Sequence, residues 1–531
     1  MSKKYLSTLL VSQMTMLRTQ VLNVLRYQQG INFGRNAASI STTVPLFPVQ
    51  GNTVVNQEWE SAKPFKEIPK VSAFKILLGL MNPKKRATID KVAKSDQKES
   101  IFKFNVFGTD RVFIEDPEMA KILMGYDGKY PIEPGVDPIV YYRSVFRKDL
   151  FSETKGLVGA HGPEWGEFRS LVNPSMMRPK AAMYYIPVLD EISTDFVDLV
   201  ESKKDENDEV DIREYIFGWS LESISAIFLN TRIGAMDPNL PEDSDSKQFI
   251  KAIGQFLGPD LNEITMGPPI WKYIQTPAFR RWDKAQMTMY EITKKFVDKA
   301  VLRCLKDGLK KGDEASVLEK LIDKCGPESQ VPVVMAQDAM IAGVDNTGTS
   351  GAFMLLDLAM YPEYQDRLFK EITDAVGDGP ITASSINQMP YLKACFKETM
   401  RLHPPVIGFS RLTQVDMVLG GYRIPKDTIV IYYTQDVMKS PDHFTDPETF
   451  NPERWLRDSS ERSTAHPFSA LPFGHGPRVC PGKRFAELEA YILAIRMLQR
   501  FRLEYHHGPV GMKTYFLSKP DKEMFLKLID R

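Results

Sequence analysis

The chain has 531 residues, of which 43% are hydrophobic and 11% aromatic, enough for a large buried core and unlike a disordered composition. Its 68 basic residues balance 68 acidic residues, which argues against general nucleic-acid binding because that needs a basic excess to neutralise phosphates. The four cysteines form no CxxC pair and no regular spacing, so a disulfide framework is not expected and a reducing compartment is indicated.

The first 57 residues contain five basic residues and no acidic residue. Leu6, Leu10, Leu17 and Val21 recur at roughly helical spacing, and no run approaches the ~20 apolar residues of a membrane span. A basic, amphipathic leader of this kind predicts a mitochondrial transit peptide over about residues 1–40. A disordered polar tail is the alternative. An extended linker over 41–61 and one large domain over 62–531 are expected to follow.

The early part of the domain predicts a β-hairpin, and most of the rest predicts helices. Residues 101–106 alternate with the two-residue period of a strand, "GTD" at 108–110 predicts a turn, and "RVFIE" predicts a second strand. Patterns with a 3.6-residue period predict long helices over about 180–202, 211–230, 283–309, 332–360, 362–376, 390–402 and 482–501. The expected fold class is therefore mainly α with small β-sheets.

The stretch "FGHGPRVCPG", residues 473–482, places a cysteine in a glycine-rich loop just before a predicted helix. Pro481 suits a first helical position, so Cys480 is expected at a helix N-terminus, where backbone N–H groups favour a thiolate. The glycines would let a flat group press against the loop, and a thiolate is a strong iron ligand. A nucleophilic cysteine with His475 as its base and a capped helix with an incidental cysteine are the alternatives.

The pattern of Phe473, Gly476, Arg478, Cys480 and Gly482 resembles the haem-binding signature of the cytochromes P-450. This resemblance implies the P-450 fold, with haem b held between a long central helix and the cysteine loop. It further implies that the thiolate of Cys480 is the axial iron ligand and that Arg478 meets a haem propionate.

Other segments are similar to the same family in the same order from about residue 62 to the C-terminus. Glu398 and Arg401, three apart on a predicted helix, together with Arg454 look like the family's buried charged network. Three further residues match positions that contact the haem propionates in the family: Trp165, Arg169 and Arg411.

The predicted helix over 332–360 resembles the family's oxygen-activating helix. Gly343 and Gly348 cost roughly 1 kcal/mol each inside a helix, which indicates close approach of a flat cofactor or, alternatively, tight helix–helix packing. Asp345 matches the family's acidic position, but Asn346 stands where a threonine is usual, and Thr347 follows. These three residues are expected to organise proton delivery, and the asparagine puts the usual hydroxyl relay in question.

Several features are similar to mitochondrial members, especially those of insects. Four cations match positions that face an acidic [2Fe–2S] ferredoxin in mitochondrial members, with NADPH-ferredoxin reductase upstream: Lys393, Lys397, Lys483 and Arg484. Solvated surface charges are the alternative. The aromatic, basic segment 268–282 is expected to touch the membrane surface, unless it packs into the core. A peripheral location on the matrix side of the mitochondrial inner membrane is predicted.

The resemblance implies a haem-thiolate monooxygenase that hydroxylates a lipophilic small molecule, either a xenobiotic or a steroid-like compound, using O2 and ferredoxin electrons. Its substrate walls are expected from 130–145, Ala342, Gly343, Val406 to Phe409 and 517–518. Two alternatives remain. Asn346 would suit an isomerase or dehydratase that rearranges peroxides without a reductase, and a non-catalytic haem carrier or sensor would need neither Asp345 nor a docking face.

Overall fold

The computed structural model describes residues 58–71, 99–106, 109–151, 154–267, 269–310 and 315–531. The predicted transit peptide over 1–40 and nearly all of the linker over 41–61 lie outside these ranges. Within them the chain is mainly helical with small sheets, which confirms the expected fold class. None of the described helices is long and apolar enough to span a bilayer.

The helices are numbered here in chain order, and a short π-helical segment, Tyr142–Phe146, follows α2. They are α1 (Pro117–Gly125), α2 (Asp137–Tyr141), α3 (Lys148–Phe151), α4 (Gly156–Gly159), α5 (Gly162–Met176), α6 (Pro179–Met183), α7 (Ile186–Ser202), α8 (Ile212–Leu229), α9 (Asp245–Phe256), α10 (Pro259–Met266), α11 (Pro277–Asp307), α12 (Val317–Cys325), α13 (Gln330–Met360), α14 (Pro362–Ala375), α15 (Ala383–Asn387), α16 (Pro390–Leu402), α17 (Thr434–Met438) and α18 (Lys483–Arg500).

Eleven described strands form four small sheets. They are β1 (Ile101–Val106), β2 (Thr109–Ile114), β3 (Glu209–Asp211), β4 (Phe409–Leu412), β5 (Met417–Leu419), β6 (Tyr422–Ile424), β7 (Ile429–Tyr432), β8 (Phe501–Glu504), β9 (Met512–Thr514), β10 (Ser518–Pro520) and β11 (Phe525–Asp530). The sheet orders are β1-β2-β7-β4, β3-β11-β8, β5-β6 and β10-β9. β2 and β7 are parallel, and the other paired strands are antiparallel.

The predicted hairpin is confirmed, but its second strand begins earlier than expected. Val106 pairs with Thr109 in the antiparallel register of β1 and β2. Thr109 and Asp110 therefore belong to β2 rather than to a turn at 108–110. The cross-strand pair of Asn105 and Asp110, which share a hydrogen bond of 2.7 Å, explains why these polar residues extend the ladder.

Helix ends differ from the predicted ones where local capping decides them. α11 begins at Pro277 rather than at 283, because the Thr276 hydroxyl accepts the N–H of Phe279 and proline fits the first turn. The segment predicted as one helix over 180–202 is two helices, α6 and α7. Helix α9 was missed, although Ser244 caps it by accepting from Lys247.

Helix α13 is the centre of the largest hydrophobic core and is buried on nearly all sides. A Cβ added at Gly343 would lie 2.8 Å from Cγ1 of Ile224, and one at Gly348 would lie 2.8 Å from Cδ1 of Phe217. Both neighbours belong to α8. Tight packing of α13 on α8 therefore accounts for these two glycines.

Candidate active site

A cavity of about 320 Å³ lies between α13 and the loop that precedes α18. Its lining is mostly apolar, and the predicted haem-loop residues line it together with residues of the long helix. From α13 come Ala342, Gly343, Asn346, Thr347 and Ser350, and from the loop come Phe473, Gly474, Arg478, Cys480 and Gly482. The structure thus brings together two segments that are more than a hundred residues apart in the chain.

Cys480 presents its side chain to this cavity at the end of a tightly turned loop. Its backbone N–H donates to the carbonyl of Phe473 at 2.9 Å. Gly474 and Gly476 both have φ of +72°, a left-handed conformation that favours glycine. These two glycines therefore set the path of the loop that carries the thiol.

Helix α18 begins at Lys483, with Gly482 as its N-cap, so the prediction of Pro481 as the first helical residue was wrong. Burial raises the pKa of the Cys480 thiol, opposed by hydrogen bonds from the backbone N–H groups of Gly482 and Lys483. The prediction that the helix end favours a thiolate is thus outweighed by desolvation. A bound metal ion reverses this balance, because a coordinating thiol is deprotonated.

Arg478 and Arg169 lie close to the cysteine loop. Arg478 donates to the carbonyls of Pro131 and Ala160 at 3.0 and 3.2 Å, and its guanidinium lies 4.1 Å from the centre of the Trp165 ring. Arg169 donates to the carbonyl of Val479 at 2.5 Å. Trp165 thus packs against one predicted propionate-binding arginine.

Arg411 is bound by a partner that the sequence did not indicate. Its Nε lies 2.9 and 2.8 Å from the two carboxylate oxygens of Asp127, and its Nη1 lies 3.6 Å from Glu133. Burial raises the pKa of Asp127, and Arg411 opposes this shift. Arg411 also lines the cavity, so the structure places it near the predicted propionate side but already engaged in an ion pair.

The cations of this rim repel one another. Burial, together with the charges of Arg411 and Arg169, lowers the pKa of Arg478 to about 10 against the opposing charges of Glu133 and Asp127. A group with two carboxylates would relieve that repulsion. The thiol, the small residues of α13 and the arginine rim therefore fit a haem with its propionates towards the arginines.

The three predicted proton-handling residues do not share one environment. Asn346 Nδ2 donates to the carbonyl of Ala342 at 2.9 Å, and no partner for its buried Oδ1 occurs in the described part of the chain. Thr347 is buried and lines the cavity.

Asp345 is 2% exposed and is not among the residues that line the cavity. Its Oδ1 lies 2.5 Å from Nζ of Lys519 in β10. Burial raises the pKa of Asp345, and the Lys519 charge opposes this shift. Asn346 and Thr347 therefore share a cavity with Cys480, whereas Asp345 is directed towards β10.

Glu489 of α18 also lines the cavity and was missed at the sequence level. It is 3% exposed, and its Oε2 has no hydrogen-bond partner among the described residues. Burial raises its pKa to about 8. The signal was present in the sequence: Phe485, Glu489 and Ile492 follow i, i+4, i+7 spacing, so a carboxylate stands on the apolar face of the helix.

Some of the residues predicted to form the substrate walls line the cavity. Ala342, Gly343, Val406 and Phe409 line the cavity. The loop over 130–145 contributes Glu133, whereas Leu157 and Val158 line the cavity without having been predicted, and 517–518 are not among the lining residues.

The four cations of the predicted docking face surround one hollow of about 530 Å³: Lys393, Lys397, Lys483 and Arg484. Val479, adjacent to Cys480, lines the same hollow. Glu487 also lines it, 3.9 Å from Lys483, and burial raises the pKa of Glu487. The structure thus gathers these charges on the side of the molecule next to the cysteine loop.

The predicted charged network is confirmed. The buried carboxylate of Glu398 accepts from Nε and Nη2 of Arg401 at 2.9 and 2.8 Å and from Nε of Arg454 at 3.1 Å. The indole N–H of Trp455 and the backbone N–H of Asn451 complete its shell at 2.9 and 3.0 Å. The contacts with Asn451, Arg454 and Trp455 join α16 to the segment leading towards the cysteine loop, so the network has an architectural role.

The segment over 268–282 is divided between core and surface. Trp271 is buried and stacks on Phe279 with ring centres 5.6 Å apart. Tyr273 and Ile274 are 86% and 68% exposed. Trp271 therefore packs into the core, as the alternative prediction for this segment states, whereas the neighbouring side chains of Tyr273 and Ile274 project into solvent.

Comparison with known proteins agrees with this geometry. The family model for cytochrome P-450 matches residues 70–528. The chain is similar to probable mitochondrial cytochrome P-450 12a5 of Drosophila melanogaster, at 33% identity over 96% of this chain and 98% of the relative. It is also similar to cytochrome P-450 CYP12A2 of Musca domestica, at 32% identity over 90% and 93%. A crystal structure of the cytochrome P-450DA haem domain aligns with a TM-score of 0.71 at 20% identity, covering 88% of this chain and 98% of that one.

The chain belongs to the cytochrome P-450 family. It is a monooxygenase whose cofactor is haem b held by a cysteine thiolate. Its similar relatives include mitochondrial cytochromes P-450 of insects. This membership favours the monooxygenase over the isomerase and carrier alternatives.

Proposed function

We propose that this monooxygenase hydroxylates a lipophilic small molecule, xenobiotic or steroid-like, using O2 and electrons from a mitochondrial [2Fe–2S] ferredoxin. The observation that carries the proposal is the hollow lined by Lys393, Lys397, Lys483 and Arg484 together with Val479. A cluster of cations next to the cysteine loop suits an acidic electron donor, because complementary charge speeds and orients encounter.

Electrons would pass from NADPH through ferredoxin reductase to the ferredoxin and then to the haem. The docking face is close to the thiol in the sequence, because Lys483 follows Cys480 by three residues. Arg484 is held in place by donating to the carbonyl of Met177 at 2.7 Å. This fixes one charge of the docking face without neutralising it.

Within the pocket, the thiolate of Cys480 would bind the haem iron, and Arg169 and Arg478 would hold the propionates. Phe473 and Gly482 would line the cofactor from the loop side, and Trp165 would support Arg478 through its ring. The haem supplies the chemistry that activates O2, and the thiolate supplies electron density for it. Arg411 would act mainly through its ion pair with Asp127, by which it would hold that carboxylate beside the predicted propionate-binding site.

The wall formed by α13 would position water and protons. Asn346 uses its amide N–H on its own helix, so its buried Oδ1 remains as an acceptor that can hold a water molecule or a hydroxyl. Thr347 lines the same cavity and offers the hydroxyl that the preceding position lacks. Asp345, paired with Lys519, would set the electrostatics behind these two residues.

The mostly apolar lining suits a lipophilic substrate. The exposed Tyr273 and Ile274 would contact the surface of the inner mitochondrial membrane on the matrix side. Import would use the leader over 1–40. Difference spectra with a panel of sterols and insecticide-like compounds would identify the substrate class, because a ligand that displaces water near the iron changes the haem spectrum.

The docking face is tested by reversing two of its charges. Lys393→Glu together with Lys397→Glu should slow reduction by ferredoxin at low salt, and rising salt should narrow the difference because screening weakens the wild-type attraction. Substrate-binding spectra should stay unchanged. Lys306→Glu with Lys310→Glu, an equal charge change at exposed positions of another region, is the matched control. Wild-type reduction rates in the Lys393/Lys397 variant at low salt would disprove the proposed docking face.

A further inference from the structure

Asp338 places a carboxylate among apolar residues of the cavity wall. It lies on α13, its side chain is 6% exposed, and it lines the cavity together with Met335 and Ala339 of the same helix. Val158 of α4, whose backbone N–H lies 3.3 Å from Oδ2 of Asp338, lines the cavity as well. A ligand in this part of the cavity would therefore meet one charged group with apolar neighbours.

The two oxygens of this carboxylate are bound unequally. Oδ1 lies 2.6 Å from Nη2 of Arg143 in a buried ion pair. Within the described part of the chain, the hydrogen bond that Oδ2 accepts from Val158 is a long one at 3.3 Å, beyond the usual range of about 2.7–3.2 Å. Because an ionised carboxylate can accept about four hydrogen bonds, Asp338 retains capacity for a further donor.

The backbone before α4 holds the carboxylate at the cavity wall. A Cβ added at Gly156 would overlap Oδ2 of Asp338, and it would lie 2.6 Å from Nη1 of Arg143 and 2.8 Å from Cγ1 of Val334. Arg143 in turn donates to the carbonyl of Lys155 at 2.8 Å. This segment thus closes directly on the ion pair, so Asp338 cannot turn away from the cavity unless the segment moves.

The ion pair determines which kind of ligand group fits beside it. Arg143 balances the charge of Asp338, so a cationic ligand would add an uncompensated charge to a buried site, which is costly. Arg143 is not among the residues that line the cavity, so a ligand would meet the carboxylate rather than the guanidinium. An ionised carboxylate accepts hydrogen bonds and donates none. The group that fits is therefore a neutral donor, such as the hydroxyl of an alcohol or a phenol.

Asp338 and Asn346 lie at different depths along one wall of the cavity. Asn346 follows Asp338 by eight positions on α13, which corresponds to about 12 Å along the helix axis. Both residues line the cavity that Cys480 also lines. A ligand whose hydroxyl is bound at Asp338 would extend along α13 and place its opposite end near Asn346.

We propose that Asp338 selects substrates that carry a hydroxyl group. Its Oδ2 accepts the O–H of the substrate, and hydroxylation is directed to the end of the molecule remote from that group. The inference rests on the proposed hydroxylation of lipophilic molecules and specifies which of them the cavity prefers. Asp338 is then a substrate-binding residue, and Arg143 is a positioning residue that holds it.

A matched series of ligands separates hydrogen-bond donation from size. The probes are 4-hydroxybiphenyl, 4-methoxybiphenyl, whose ether oxygen cannot donate, and biphenyl. The wild-type holoenzyme should bind the phenol roughly ten- to a hundredfold more tightly than the ether, as expected for a hydrogen bond to a charged group. Equilibrium dialysis measures these dissociation constants without turnover. If the wild type binds the phenol no more tightly than the other two probes, the proposal is overturned.

Two double variants show whether this preference belongs to Asp338. Arg143→Met with Asp338→Leu removes the acceptor without leaving a buried charge, so the preference for the phenol should disappear. Lys294→Met with Asp298→Leu alters an exposed ion pair on α11 and should keep the wild-type preference. Each preference is a ratio of two affinities for one protein, so a general loss of stability cancels. A wild-type ratio in the first variant would assign the preference to another acceptor.

Asp338→Asn serves if the first double variant does not fold. Its amide oxygen would stay on Nη2 of Arg143, and its NH2 group would take the place of Oδ2. The acceptor at the cavity wall would thereby become a donor. The methyl ether should then bind better relative to the phenol than it does in the wild type, and an unchanged ratio would contradict the proposal.

Product analysis distinguishes this inference from the proposed function. With ferredoxin, its reductase and NADPH, the wild type should oxidise 4-hydroxybiphenyl on the unsubstituted ring, remote from the bound hydroxyl. The ether lacks that hydrogen bond and should also react at its methyl group. Oxidation of the phenol mainly on its substituted ring would overturn the proposed orientation. Absence of product from every probe would count against the proposed function, while the dialysis ratios would still decide the role of Asp338.

Discussion

Replacing Asp338 with leucine should strongly destabilise the protein, and replacing its partner as well should cost much less than the two single losses added together. Asp338 of α13 and Arg143 of the π-helical segment are 6% and 2% exposed, and their Oδ1 and Nη2 atoms lie 2.6 Å apart. Arg143 also donates to the carbonyl of Lys155 at 2.8 Å, and the N–H of Val158 lies 3.3 Å from Asp338 Oδ2. This ion pair fastens the segment between α2 and α4 to the wall of the cavity.

The magnitudes follow from desolvation. Asp338→Leu or Arg143→Met leaves one buried charge unpaired, which costs about 3–5 kcal/mol. The double variant has no charge to desolvate. Its remaining cost is the loss of partners for the Lys155 carbonyl and the Val158 N–H, about 1–3 kcal/mol for each group that stays unpaired. The double variant should therefore be more stable than the sum of the single variants implies, with a coupling of about 3 kcal/mol or more.

Free energies of unfolding from urea titrations of the four proteins give this coupling directly. Lys294→Met and Asp298→Leu provide the control cycle, because this pair is 2.6 Å apart but 44% and 52% exposed. Exposed pairs contribute little, so its coupling should be small. Additive losses at Arg143 and Asp338 would show that the pair is solvated and would refute the reasoning.

Other changes test the site one residue at a time. Cys480→His should abolish the CO-difference band of thiolate ligation, and a wild-type spectrum of histidine ligation would contradict the assignment of the iron ligand. Asn346→Ala should lower product per NADPH and raise peroxide, and Asn346→Thr should recover coupling; equal coupling in all three would remove Asn346 from proton delivery. Lys519→Met leaves the buried Asp345 unpaired, so thermal unfolding should show a stability loss that grows as pH rises, whereas Lys519→Arg should not. Burial raises the pKa of Glu489 from 4.5 to about 8, so between these pH values the folded protein keeps a proton that the unfolded chain has released. The free energy of unfolding of the wild type should therefore fall as pH rises from 4.5 to 8, and it should fall less in Glu489→Gln.

The sequence alone determined the features that depend on neighbouring residues. The 3.6-residue period located α13, α16 and α18, and the two-residue period located β1 and β2, because the side of an element that is buried follows directly from its spacing. The cysteine loop was also found from neighbouring residues, because its glycines and prolines restrict the path of the backbone. Fold class and cofactor followed from these local patterns together with the family resemblance.

Tertiary structure alone decided several of the charge pairs. Arg411 pairs with Asp127, 284 positions away, and Asp338 with Arg143, 195 positions away. Pairs of residues this far apart in the chain cannot be predicted from the local spacing of apolar residues. The protonation of Glu489 is likewise a tertiary property, because it depends on which groups surround the carboxyl once the chain has folded. Sequence spacing reports which face of a helix is buried, but the partner across that face, and therefore the charge state of a buried acid, is set by the packing of distant segments.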